Sequence, residues 1–139
     1  MGKCVKKGIL KILLLSIIIK HQKIHGYRIY KELMDLSMDR WKPSIGTLYR
    51  LLNELAQENL VKKEETFSGN RRIVYYEATN AGVEEFLKVC DAFFERTIIG
   101  LDILLPTLMK LRKTGLVNEM IIDKVKSIEK LIYLHTSGK

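Results

Sequence analysis

Apolar positions three and four apart open the chain. Ile9, Leu10, Leu13, Leu14, Ile17 and Ile18 predict a helix over about residues 8–20. Ile12, Leu15 and Ile19 make that helix greasy on a second side, so one face serves the domain core and another serves something else. Tyr27, Ile29, Tyr30 and Leu33 predict a second helix, from residue 25 or 26 to about 34, followed by the polar connection "MDLSMDR". Pro43 biases Lys42 toward an extended backbone, and Ser44 behind it is a good N-cap. The third helix then runs to about Gln57. Leu48, Leu51, Leu52 and Leu55 form its inward stripe, while Thr47, Arg50, Asn53, Glu54 and Gln57 point elsewhere.

The period then changes. Residues 60–67 and 72–78 read as strands joined by "SGN", a short glycine-containing connection that signals a hairpin. Two strands alone are marginal, so this hairpin must pack on the helices. Thr79 caps a further helix, whose three-four repeat holds for more than twenty residues through Val83, Phe86, Cys90, Phe93, Leu101 and Leu105. Asp102 and Pro106 predict a kink or a restart in it, and Gly115 predicts its end. A last helix covers about residues 118–134. The expected fold is therefore mainly α with a small β-hairpin wing: a winged helix-turn-helix over residues 1–82, then a C-terminal helical region over 83–139.

Charge sharpens this picture. Lys and Arg number 24 against 16 Asp and Glu, a formal net charge of +8. Residues 1–80 carry 15 of the bases and 8 of the acids, net +7, while the remainder is nearly neutral. A basic first part attracts polyanions, of which nucleic acid is the favoured one. The longest apolar run is eight residues, 12–19 with Ser16 inside it, where a membrane span needs about 20. The greasy, basic start has no small-residue cleavage site behind it. A cytoplasmic location and no membrane partner are expected.

The third helix has what a groove-reading helix needs. Its apolar stripe would fix it, and Ser44 and Thr47 lie in a first turn where free N–H groups and the helix dipole favour a phosphate. Gly46 permits close backbone approach. Thr47, Arg50 and Asn53 lie about one turn apart; arginine can clamp guanine or phosphate, and asparagine can pair with adenine. Glu54 either accepts from cytosine or pairs with Arg50 four residues back. Tyr49 either stacks on sugar-phosphate or packs on the second helix. On the hairpin, Arg71 and Arg72 sit at or just beyond the tip, where arginine reaches phosphates or a narrow minor groove. Each of these features also has a plainer reading as a solvated surface.

"HGYRIYKELMD", "WKPSIGTLYRLLNELAQENLVKKEE" and "GNRRIVYYEATNAG" together resemble the PadR family of transcriptional regulators. The matching positions are His25, Gly26, Tyr27, Trp41, Ser44, Gly46, Thr47, Tyr49, Arg71, Arg72, Tyr75, Tyr76, Thr79 and Gly82, and the resemblance covers about residues 8–82. It implies a homodimeric repressor that binds double-stranded DNA, with the first and C-terminal helices building the dimer. It also implies that Tyr27, Ser44, Thr47 and Tyr49 contact DNA. The chain departs from the family pattern at Arg50, where a proline is common, at Asn59 in place of glycine, and at Ala78 in place of leucine.

Residues 83–135 carry more apolar stripe than one small winged domain can bury. Pairing with a second copy would cover it, with Ile12, Leu15, Ile19, Phe86, Phe93, Phe94, Leu101, Ile121, Val125 and Ile128 at the interface; an intramolecular helical subdomain is the plainer alternative. A twofold dimer sets two reading helices one DNA turn apart and predicts a near-palindromic operator. Some relatives resemble multidrug sensors with an aromatic-lined dimer pore, to which Phe86, Phe93, Phe94 and Trp41 could contribute; at helical spacing, core or interface is the commoner role, and no effector is named. His21, His25, His135, Cys4 and Cys90 form no spaced site, and no glycine-rich phosphate loop precedes a helix. Neither an enzyme nor a cofactor or metal site is expected. His25 is structural or a phosphate contact. A protein-interaction module on the same fold remains the alternative.

Overall fold

The computed structural model describes residues 2–37 and 43–138, with side chains from residue 8 onward. Trp41 and Lys42, and the last three residues of the polar connection before them, lie outside the described residues, as does the side chain of Cys4. The order is α1 (Gly2–His21), β1 (Ile24–His25), α2 (Gly26–Ser37), α3 (Ile45–Gln57), β2 (Val61–Ser68), β3 (Arg71–Ala78), α4 (Asn80–Lys113) and α5 (Glu119–Thr136). By its contacts the chain divides into two compact units, Met1–Ala92 and Phe93–Lys139.

The first unit is a mainly helical fold with a β-hairpin wing. Its core joins Leu10, Leu14, Ile17 and Ile18 of α1, Ile29 and Leu33 of α2, the four leucines of α3, and Val61 and Tyr76 of the hairpin. All four α3 leucines are buried because their three-four spacing puts them on one side of the helix. Leu15, expected at a dimer interface, is 1% exposed and belongs to this core instead. It lies beside Gly82, which leaves it no surface for a second copy. Phe86 packs against the same core and is half-buried. What α1 leaves outside is the row Ile9, Ile12, Leu13 and Ile19, half-buried or exposed.

The sheet has three strands in the order β1-β3-β2, all antiparallel. The third member, β1, pairs Ile24 with Tyr76 and His25 with Tyr75. It was not expected, since two residues are too few to show an alternation. The hairpin runs from Val61 opposite Ala78 to Ser68 opposite Arg71, leaving Gly69 and Asn70 as its turn, with Gly69 at φ +66°.

Two joints set the geometry around the wing. At the end of α3, Asn59 takes φ +61°, its N–H reaches the Ala56 carbonyl, and the Leu60 N–H reaches Leu55. That Schellman closure turns the chain into β2. At the start of α4, Thr79 Oγ1 accepts from the Gly82 N–H at 3.0 Å and donates to the Asn59 carbonyl at 2.7 Å, so one side chain caps α4 and ties it to the α3 exit. Between α1 and α2, Glu32 meets Lys20 at 2.5 Å and His21 at 2.6 Å. Burial opposes its ionisation, but Lys20 and His21 outweigh that and hold its carboxyl below the usual carboxylate range.

In the second unit, α4 continues through Pro106 without the restart that was one of the two expectations there. Proline removes one helical bond, to the carbonyl of Asp102, and Asp102 is exposed, so water can take that carbonyl. Gly115, at φ +78°, closes α4 with a second Schellman turn onto Leu111 and Arg112. Asn118 caps α5 through the Met120 N–H at 2.8 Å. Ile122 is buried, but Phe93, Phe94, Ile98, Ile103, Leu104 and Leu131 are all more than half exposed. No helix among the described residues is long and apolar enough to cross a membrane, and none of them form a group that could hold a metal ion.

Candidate nucleic-acid interface

With its leucines inside, α3 presents a row of Gly46, Tyr49, Arg50, Asn53 and Gln57 to solvent. Its first turn is preset. Ser44, in an extended conformation, accepts from the Thr47 N–H at 3.1 Å and donates its own hydroxyl to Thr47 Oγ1 at 2.9 Å. The Thr47 hydroxyl proton is therefore left to donate elsewhere. A Cβ built on Gly46 would meet nothing closer than Ser44 Oγ at 4.0 Å, so the space above this turn is open to an approaching molecule.

Tyr49 does more than face outward. A Cβ on Gly26 would come within 2.6 Å of its ring and 2.9 Å of its hydroxyl. The ring lies on the bare backbone at the start of α2 and fixes the setting of α3 against it, while 37% of the residue remains exposed. Both readings of Tyr49 thus have a physical basis. Glu54 pairs with Arg50 at 3.8 Å, as the four-residue spacing suggested, and also with Lys11 at 3.7 Å. Asn53 accepts from Lys63, on the incoming strand of the wing.

His25 has a local job: its Nδ1 accepts from the Arg28 N–H at 3.1 Å and so caps α2. In the neutral ring this places the proton on Nε2, which is then a donor. The ring meets Tyr75 edge-on at 5.8 Å. Next to it Tyr27 is 57% exposed, at the first turn of α2.

On the wing, adjacent strand residues face opposite ways, so Arg71 and Arg72 do not act from the same side. Arg72 lies opposite Phe67, on the face that carries Lys63 and buried Tyr76; Arg71 lies opposite Ser68, on the other face. Arg72 is held by Glu65 at 2.6 Å. Burial pushes the Tyr76 hydroxyl up, Tyr49 adds to this, and Arg72 eases it. Lys23 binds Glu64 at 2.6 Å, which raises its ammonium, and sits 5.9 Å above the Tyr75 ring. Sequence reasoning assigned nothing to Phe67, yet it is 67% exposed beside Arg72. Strand alternation could have placed it on that face; its lack of cover needed the fold.

Comparison with known proteins identifies the family. The model of the transcriptional regulator PadR-like family matches residues 14–88. Among solved structures, a PadR family transcriptional regulator from Eggerthella lenta is similar at 27% identity and TM-score 0.61, over 76% of this chain and 88% of that one. A PadR family regulator from Clostridium difficile is 26% identical with TM-score 0.53, over 69% and 97%. A transcriptional regulator from Clostridium thermocellum shares the fold at 18% identity and TM-score 0.64, over 75% and 98%. None of the curated proteins matches the chain.

Proposed function

This chain belongs to the PadR-like family of transcriptional regulators, and on that footing we propose that it is a repressor that binds double-stranded DNA as a homodimer. The family is one of regulators rather than enzymes. In this reading α3 enters the major groove, with Ser44, Thr47 and Tyr49 near phosphates and Arg50 and Asn53 at base edges. Tyr27 and His25 meet the backbone beside it. Arg71, Arg72 and Phe67 bring the wing tip to the backbone or the minor groove. The observation that carries the reading is the division of α3: four leucines buried on one side, and on the other a capped, open first turn followed by Arg50 and Asn53 in solvent.

Homodimerisation is supported by the uncovered apolar side chains of α4 and α5 and by the outer row of α1. Large apolar side chains left uncovered on a helix face mark an interaction surface. Ile12, Ile19, Phe93, Phe94, Leu101, Ile121, Val125 and Ile128 are the proposed contacts; Phe86 adds what the core leaves of it. The residues over 83–139 are then the dimerisation region, and those over 1–82 the DNA-binding one, whose first helix also joins the dimer interface.

Selection of bound fragments from random duplexes by the purified protein tests this reading. The expected result is a near-palindromic site whose halves lie about one DNA turn, about 34 Å, apart. Recovery of no preferred site, with a protein partner bound that duplex does not displace, would instead favour an interaction module. Replacing Arg71 and Arg72 together with Ala should weaken binding to every duplex and lower the salt slope by about 3.6, since a dimer loses four arginines and each neutralised phosphate contributes about 0.9. A titration of affinity against salt checks this; an unchanged slope removes both arginines from the phosphate contacts.

A further inference from the structure

We propose that Lys63 of the wing fixes which hydrogen-bonding group Asn53 offers to DNA, and so sets the base accepted there. This rests on the reading of α3 as the groove-facing helix.

Lys63 Nζ donates to Asn53 Oδ1. An ammonium has three donors and no acceptor, so only the carbonyl end of the carboxamide can face it. The orientation of the Asn53 side chain is therefore imposed by its neighbour's chemistry. Asn53 is exposed one turn beyond Arg50, on the outer row of α3. The strand register gives Lys63 this reach. It lies opposite Tyr76, whose ring is buried, while Lys62 lies opposite exposed Glu77 on the other face.

A free asparagine pairs with adenine by accepting from N6 and donating to N7. With Oδ1 turned to the wing, the NH2 group is what remains to face a base. A donor suits the N7 and O6 acceptors of guanine and is mismatched to the N4 amino group of cytosine. Lys63 is thus a positioning residue. It selects a donating Asn53 over a bidentate one, and the base pair beneath Asn53 is read as an acceptor edge.

The test is duplex selection repeated with four variants of the full chain, scoring the guanine-to-adenine ratio at the position lost in Asn53→Ala. Lys63→Met should lower that ratio about tenfold, the size of one good base contact. Lys63→Arg keeps a donor and should keep the ratio. Lys62→Met removes the same charge from the other face, so it should weaken all duplexes equally and leave the ratio alone. A ratio in Lys63→Met within about twofold of the parent overturns the inference while leaving α3 as the reader. A selection unchanged in Asn53→Ala removes Asn53 from the base contacts and overturns this inference alone; no duplex binding by the parent protein overturns the groove reading and this inference with it.

Discussion

Gly82→Ala lowers the stability of the folded chain by about 3 kcal/mol, or prevents folding at ordinary temperature. The added methyl would stand 2.1 Å from the backbone oxygen of Leu60 and 3.1 Å from its carbonyl carbon. Neither can move alone. The Leu60 carbonyl accepts from the Thr79 N–H at 3.0 Å, and Leu60 closes α3 through its own N–H to Leu55. Relief of the clash must shift the end of α3, the start of β2 or the entry to α4. Gly100→Ala in the same helix makes the contrast, because a Cβ there meets nothing within 4 Å. Alanine is the better helix former by up to about 1 kcal/mol, so this variant should be neutral or more stable. Urea denaturation of both checks the pair. Equal stability of Gly82→Ala and the parent would mean that α4 does not pack on Leu60 in this way.

Phe93→Glu combined with Phe94→Glu gives a folded monomer whose duplex affinity is lower by about a hundredfold or more. The two rings meet edge-on at 5.4 Å and are each more than half exposed, so the chain itself does not require them. Helix content should survive, since glutamate is a good helix former. In an interface the same carboxylates would be buried without partners, at a cost of several kcal/mol each. The affinity loss follows because a second head bound through a dimer acts at high effective concentration, a gain of about 10²–10⁴ that a monomer forfeits. Light scattering gives the mass and fluorescence anisotropy the affinity. A variant that keeps the parent's mass would place the interface elsewhere.

Much of the α3 side of the candidate interface was legible in the sequence. Ser44 after Pro43 marked the cap, and the leucine spacing determined which side was left for Arg50 and Asn53. Asn59 was readable as a left-handed exit because asparagine tolerates that backbone. The wing was readable from "SGN" between two β-prone runs. The failures share a cause. Strand β1 is two residues long and shows no periodicity. Leu15 looked like an outer-face residue because α1 is apolar on two sides, and only the approach of α4 at Gly82 shows which side is covered. Pro106 carries a strong local penalty that the surrounding helix outweighs. The pairing of Lys63 with Asn53, and the seating of Tyr49 on Gly26, join separate elements. No pattern along one element reports the distance between two.

In the proposed complex, two copies of this chain, held by their apolar helices, place two α3 helices on one duplex. The direct measurement is the mass of the purified protein, alone and with a selected duplex, by sedimentation equilibrium at low and moderate salt. Two chains alone, two chains per duplex, and release of the DNA as salt rises are expected. A single chain that ignores duplex at low ionic strength would contradict this arrangement.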